Sequence, residues 1–411
     1  EIGITKAIPG EYPMVTTGAE RKSHNAFQLD TEAVLVPLVS ATGHGHASIK
    51  RIHFQEGKFA FGSILAACVP KDNMYSAKFL HIYFQLMKDY ILVPLMKGSA
   101  NVSLTLGNLK TAKVPDISRE IQESIVKLYS TLKIEQDEAT GILSNQKSDI
   151  DSLRQAILQE AVQGKLTAKW RKNNSNIESA SVLLDKIHKE KAQLIKGKKI
   201  NKEKPLLTIE ESEIPYKLPS AWEWCRLRDV GYTMTGGTPS KSNPAFFGTD
   251  IPFIKPGDIQ NWKIGYNNEG LSILGKNNLN RVAPKGSILM VCVGTIGKCG
   301  IIETECSFNQ QINSISPLNV ESDYLLSTLS SSYFYDAAWT LSTSTTIALL
   351  NKGKWEAIPI PLPPLEEQKA IVEKVNFLMA LCDELEQQID SSQTQIEQLM
   401  QSCLKEVFEQ E

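Results

Sequence analysis

The residue types able to do chemistry in this 411-residue chain are dispersed, and none of them fall at the spacing of a familiar catalytic or metal centre. His44, His46 and His53 lie close together beside Gly43 and Gly45, but no acidic or cysteine partner stands at metal-ligand spacing, so no metal site is expected. Gly294-Thr295-Ile296-Gly297-Lys298-Cys299-Gly300 lacks the Gly-x-x-x-x-Gly-Lys-Ser/Thr spacing of a phosphate loop; it lies between two β-type runs and reads as a hairpin. Asn243-Pro244-Ala245-Phe246 is one proline short of the Asn-Pro-Pro-Phe motif of adenine-N6 methyl transfer. No glycine-rich strand–helix turn for S-adenosylmethionine precedes it, so it reads as a turn. What remains are loops whose side chains suit bases and phosphates. The first group is Thr16, Thr17, Arg21, Lys22, His44, His46, Lys50 and Arg51. The second is Thr235, Thr238, Ser240, Lys241, Lys255, Asp258, Lys298, Gln310, Gln311, Ser342, Thr343, Ser344 and Thr345. Arg and Lys match guanine edges and Gln matches adenine, whereas a merely solvated loop carries the same residues; the loops alone leave both readings open.

The elements that would position these loops announce themselves by period. In residues 361–411, Ile371, Val375, Leu378, Cys382, Leu385, Ile389, Ser392, Ile396, Leu399 and Cys403 alternate in steps of four and three, the seam of a supercoiled helix. The same pattern occurs 246 residues earlier as Ile125, Tyr129, Leu132, Gln136, Ala139, Leu143, Gln146, Ile150, Leu153 and Ile157. Identities at that offset include Pro115/Pro361, Gln122/Gln368, Ile125/Ile371, Leu132/Leu378, Ile150/Ile396 and Leu153/Leu399. The chain is internally duplicated, and the simplest use of the copies is two long helices packed together. Gln146 and Ser392 put a polar residue at the same step of both seams, a device that fixes register.

Each helical stretch follows a proline-marked strand end and closes a non-helical region, so the order is globule, helix, globule, helix. Residues 1–114 hold β-type runs at 34–39 and 64–69 and a helical patch at 77–87. Residues 219–360 follow the same plan, with strands expected at 251–255, 287–293, 300–303 and 311–316 and a helical patch at 324–335. Phe61, Leu65 and Pro70 align with Phe308, Ile312 and Pro317, so the globules are duplicated too, though more diverged than the helices. Glu1-Ile2-Gly3-Ile4-Thr5 aligns with Asp229-Val230-Gly231-Tyr232-Thr233, while Leu218 to Arg228 has no counterpart before residue 1; the first globule is expected to lack its opening segment. Between the repeats, residues 165–218 carry an amphipathic helix at 181–194 and a lysine-rich run at 196–204 that suits either a solvated linker or nucleic acid.

Composition sets outer bounds. A content of 42% hydrophobic residues supports real cores in two to three domains. No run of about 18 apolar residues could span a bilayer, and the expectation is a cytoplasmic protein. Seven cysteines without a Cys-x-x-Cys pair read as reduced, buried small hydrophobes. The overall net charge of −2 conceals +4 over residues 1–114, −4 over 115–164, +6 over 165–218, 0 over 219–360 and −8 over 361–411. Globules and linker can meet phosphate; the helices would repel it. The fold class is α+β, two mixed globules and two long helices related by the internal repeat.

Several phrases together resemble the specificity subunit of type I restriction–modification systems. They are Leu218-Pro219-Ser220-Ala221-Trp222-Glu223-Trp224-Cys225-Arg226-Leu227, Gly236-Gly237-Thr238-Pro239-Ser240-Lys241, Ile251-Pro252-Phe253-Ile254-Lys255-Pro256-Gly257-Asp258-Ile259, Pro361-Leu362-Pro363-Pro364-Leu365-Glu366-Glu367-Gln368 and Gly164-Lys165-Leu166-Thr167. The resemblance implies two target recognition domains (1–114 and 219–360), each reading half of a split DNA site. It further implies two antiparallel coiled-coil spacer helices (115–164 and 361–411) joined to the globules through the basic linker 165–218. The helices would dock two modification subunits that carry S-adenosylmethionine and methylate adenine, with motor–nuclease subunits recruited to the assembly. No catalytic group and no cofactor are expected in this chain. Dimensions agree: about 45 helical residues span about 68 Å, and groove-reading modules one to two turns apart need about 34–70 Å. The rival readings are a coiled-coil scaffold that reads no DNA and a self-sufficient methyltransferase.

Overall fold

The computed structural model describes residues 8–42, 45–71, 74–99, 101–202, 205–266, 268–343 and 347–409, with side chains as far as residue 403. They form two compact units, one of residues 1–146 with 388–411 and one of residues 147–387. This division cuts both long helices, whereas the sequence reading puts its boundaries at their ends.

In the first unit the strands are β1 (Tyr12–Val15), β2 (Lys22–His24), β3 (Leu29–Asp30), β4 (Ala33–Pro37), β5 (His53–Gln55), β6 (Lys58–Phe61) and β7 (Leu65–Cys68). They pair in two sheets, β2-β1-β6-β3 and β5-β4-β7, with β1 parallel to β6. Strand β4 is buried from end to end because alternate residues serve two cores. Val34 and Val36 join Phe79, Leu80, Tyr83 and Phe84 of helix α1 (Ala77–Ile91), while Ala33 and Leu35 join Val15, Phe59 and Leu65. Ser76 caps α1, its Oγ accepting from Phe79 N. A short turn of helix, α2 (Leu106–Leu109), precedes the long α3 (Arg119–Val162).

The second unit opens with the end of α3, then α4 (Ala168–Asn173) and α5 (Ala180–Lys196). Its strands are β8 (Glu223–Arg226), β9 (Gly231–Thr235), β10 (Phe247–Ile254), β11 (Ile259–Gln260), β12 (Lys263–Ile264), β13 (Gly270–Leu271), β14 (Ile288–Val291), β15 (Cys299–Ile301), β16 (Ser307–Phe308), β17 (Ile312–Pro317) and β18 (Pro359–Leu362). Its later helices are α6 (Ile273–Leu279), α7 (Ser322–Leu329), α8 (Ser332–Leu341), α9 (Lys352–Glu356) and the start of α10 (Leu365–Glu409). The main sheet, β15-β14-β17-β9, repeats the plan of β5-β4-β7. Leu35 opposes His53 and Pro37 opposes Leu65 in the first unit; Leu289 opposes Gly300 and Val291 opposes Ile312 in the second. The parallel pair β1–β6 is likewise matched by β10–β16, ending on the aligned residues Phe61 and Phe308. The copies differ in their connections: residues 38–52 between β4 and β5 stand against residues 292–298 between β14 and β15, and residues 16–32 between β1 and β4 against residues 255–287 between β10 and β14.

The long helices run antiparallel, since the first part of α3 shares a unit with the last part of α10, and the reverse. Their inward stripe departs from the strict heptad. Along the seam, the buried or half-buried positions on α3 are 125, 129, 132, 136, 139, 143, 147, 150, 154 and 157, and on α10 they are 371, 375, 378, 379, 382, 386, 389, 392, 396, 400 and 403. Two four-residue steps follow one another on α3 at 139, 143 and 147, and on α10 a four-residue step replaces a three-residue one at 382–386 and at 396–400. A straight helix of 3.6 residues per turn drifts against a 3.5-residue repeat, and such a step absorbs the drift. Ile125, Ile150 and Ile371 are buried, and Leu132, Leu378 and Ile396 are half-buried, as the seam requires. Leu153 and Leu399 are exposed instead, and Lys147 takes the inward position beside Gln146. Arg154 replaces Leu153: its Nη2 donates to Asp383 Oδ1 at 2.7 Å and to Glu386 Oε2 at 2.8 Å. The cysteines are free, and Cys225, Cys292, Cys299, Cys306 and Cys382 are buried.

Candidate nucleic-acid interface and its joints

Contacts bring together only some of the loop residues expected to meet DNA, around Arg21 in the first unit and around Thr238 in the second. In the first, Arg21 precedes β2 and reaches across to β5, where its Nε donates to Gln55 Oε1 at 2.9 Å and its Nη2 to Phe54 O at 3.0 Å. Its Nη1 lies 3.2 Å from His53 Nδ1. His53 is buried, and that burial, with the charges of Arg21 and Arg51, holds its pKa down at about 4, so the ring is neutral and can accept. Thr17, Lys22 and Lys50 are exposed and Arg51 is half-buried. His46 is exposed, and its backbone oxygen accepts from Ser40 Oγ and Thr42 Oγ1 to close the 38–52 connection. His44 lies outside the described residues, as do Ser344 and Thr345.

In the second unit the Gly236-Gly237-Thr238 turn is pinned by backbone bonds from Gly236 N to Ile312 O and from Gly237 N to Phe308 O. A Cβ on Gly236 would fall 2.2 Å from Asn309 O, which explains the small residue there. Thr238 Oγ1 donates to Gln310 Oε1 and accepts from Asn309 Nδ2. Arg281 Nη1 donates to Thr235 O at 2.5 Å and lies over Gly237, joining the cluster from the far side. Arg281 and Asn309 escape the sequence reading, because only the strand pairing brings them to the turn. Gln311 is half-buried, and its backbone oxygen accepts from Cys292 N. Ser240 bonds Ser242, Lys241 and Lys298 are exposed, and Thr343 pairs through its backbone with Leu349. Lys255 is occupied by an ion pair with Glu269, and Asp258 caps the Lys255 amide. No group of three or more His, Cys, Asp and Glu suited to a metal occurs among the described residues.

The joints between globule and helix are duplicated more faithfully than the loops. Buried Gln122 accepts from Ser76 N at 2.8 Å and donates to Ile117 O at 3.1 Å; buried Gln368 accepts from Glu321 N at 3.0 Å and donates to Pro363 O at 2.9 Å. Two tyrosines complete each brace. Tyr75 donates to Pro115 O and Tyr83 to Lys113 O, matched by Tyr324 to Pro361 O and Tyr333 to Pro359 O. The Gln122/Gln368 identity carries the signal in sequence. The tyrosines lie 249 and 250 residues apart and so miss the 246-residue offset. In the second unit, fully buried Glu367 is a further joint, accepting from Thr167 Oγ1 at 2.6 Å, from Trp222 Nε1 at 2.8 Å and from Arg171. Gly164, at φ +70, passes close under Trp222 and gives its oxygen to Arg171 Nη2.

Residues 219–395 match the family model of the type I restriction modification DNA specificity domain. The EcoEI specificity subunit of Escherichia coli is 32% identical over 277 residues, 64% of this chain and 45% of that one. Over these spans the chain is similar to type I restriction specificity subunits. The EcoDI specificity subunit of Escherichia coli aligns over 97% of this chain and 82% of its own length at 25% identity. By contrast, this chain spans under half the length of the EcoEI and EcoAI subunits that it matches at 32% and 30% identity. In fold, a chain from a solved type I R-M system superposes with a TM-score of 0.61 at 15% identity, covering 97% of this chain and 91% of that one. The HsdS subunit from Thermoanaerobacter tengcongensis gives 0.50 at 15% identity, over 97% and 90%. The phrases at Gly164–Thr167 and around Trp222, which carry the resemblance in sequence, are the Glu367 joint. No helix among the described residues is long and apolar enough to cross a membrane.

Proposed function

We propose that this chain is a specificity subunit that reads a bipartite DNA target, one half-site per globule, and holds the two readings apart with α3 and α10 while contributing no catalytic group. The observation that carries this is the paired brace. Gln122 with Tyr75 and Tyr83, and Gln368 with Tyr324 and Tyr333, root two globules on two helices in the same way. The surface loops those globules bear differ. Conserving the joint while varying the loops suits a device with one mechanical plan and two readings.

The modification subunits, two per chain, would supply S-adenosylmethionine and transfer methyl groups to adenine, and motor–nuclease subunits would join them in the cytoplasm. Exposed Phe377, Leu381 and Leu385 recur every four residues along α10 outside its inward stripe and offer those partners an apolar face. Replacing residues 219–360 with the matching segment of a relative, then selecting duplexes from a randomised pool, tests the assignment. One half of the enriched motif should change and the other persist; a change in both or in neither would sink it. A scaffold that reads no DNA would enrich no sequence and bind no duplex in a salt-dependent way.

A further inference from the structure

Arg21 is unlike its neighbouring cations. It is exposed, yet its guanidinium is held at three points by Gln55 Oε1, Phe54 O and His53 Nδ1. Fixing an exposed arginine costs rotamer freedom, and a phosphate contact does not require it, because a mobile positive charge serves there. A base edge does require it, since the donors must lie in one plane at one bearing. The supports are themselves immobile: Phe54 O is main chain of β5, Gln55 ends that strand, and His53 is buried beneath them. A guanidinium has five N–H groups. The three held contacts engage Nε once, Nη1 once and Nη2 once, which leaves one N–H on each terminal nitrogen. Two such N–H groups on adjacent terminal nitrogens match two acceptors on one base.

We infer that Arg21 is a base-reading side chain of the first unit, a fixed fork for the O6 and N7 atoms of a guanine, and that Gln55 is the positioning residue that sets its bearing. This rests on the DNA reading proposed above. Selecting from a randomised duplex pool with the full chain, then with Arg21→Lys, Arg21→Ala and Gln55→Ala, tests it. Both Arg21 variants should lose preference for guanine at one position of one half-site by roughly ten- to a hundred-fold. The remaining positions of that half-site and the whole of the other should be retained, which shows that both units are folded. Gln55→Ala should weaken the same preference at an unchanged thermal midpoint, which a merely structural glutamine would not do. Affinity falling equally for every sequence would mark Arg21 as a phosphate contact and overturn the inference, as would an unchanged motif. A wild-type chain that enriches no motif at all would instead overturn the DNA reading on which it rests.

Discussion

His53 does no reading itself in this scheme, yet it ties the first unit's loop chemistry to pH. Its folded pKa of about 4 lies below the ordinary value of 6.5, so folding favours the neutral ring. That contribution is complete above pH 6.5 and is lost as pH falls toward 4. Burial pushes His81, whose Nε2–H donates to Ile52 O, in the same direction. The thermal midpoint of the wild type should therefore drop between pH 6.5 and 4.5 by the equivalent of about 1–3 kcal/mol, and His53→Gln should flatten that slope; parallel profiles would exonerate His53. Gln368 carries a second expectation. Gln368→Leu leaves Glu321 N–H and Pro363 O without a partner and should cost roughly 2–6 kcal/mol at about 1–3 per orphaned group. Gln122→Leu should cost the first unit a similar amount. A loss below about 1 kcal/mol in denaturant titration would show that the braces are dispensable.

At the scale of elements, the proposed reading makes the paired helices a length standard. Seven residues inserted into α3 alone, near 140, misalign every later layer, including the Arg154 contacts to Asp383 and Glu386, and should destabilise the chain. Inserting one heptad in both helices, near 140 and 386, keeps the layers and adds about 10 Å. The unspecified gap in the DNA target should grow by up to roughly three base pairs at ~3.4 Å each, with both half-sites unchanged; methylation confined to the original spacing by a folded double insertion would refute this. Sequence period located these helices well, giving residues 115–164 for Arg119–Val162 and 361–411 for Leu365–Glu409. It could not settle which residue of each turn faces inward, because the drift between 3.5 and 3.6 residues is invisible until the helices pack. Leu153 turns outward, and Arg154 is drawn in by two carboxylates on α10. Strands β4, β7, β10, β14, β15 and β17 were legible as apolar runs. The short β1, β2, β3 and β6 were not, and with them went the Arg21 cluster, whose members are more than thirty residues apart and meet only through sheet pairing.

For the molecule as a whole, charge divides the labour: residues 1–114 and 165–218 are net basic, while both helices are acidic. Affinity for duplex should fall with salt by a slope of about 0.9 per phosphate contacted, and a chain purified alone should transfer no label from S-adenosylmethionine to DNA. Salt-independent binding, or methyl transfer above background, would contradict the division between reader and partner. The Glu367 joint and helix α5 have a further effect on how this polypeptide survives damage. Lys198 and Lys199 are exposed just beyond α5, at the approach to the opening segment of the second globule. Contacts within the second unit cross that point repeatedly. Lys191 donates to Arg228 O and Gly231 O, Ala180 N to Ala221 O, and Thr167 and Arg171 to Glu367. Brief trypsin treatment should nick the chain there and yield two fragments in a denaturing gel that still elute as one particle by gel filtration. One particle after the nick would show that covalent continuity through the lysine-rich stretch is expendable once the chain has folded, and fragments that separate would show that it is not.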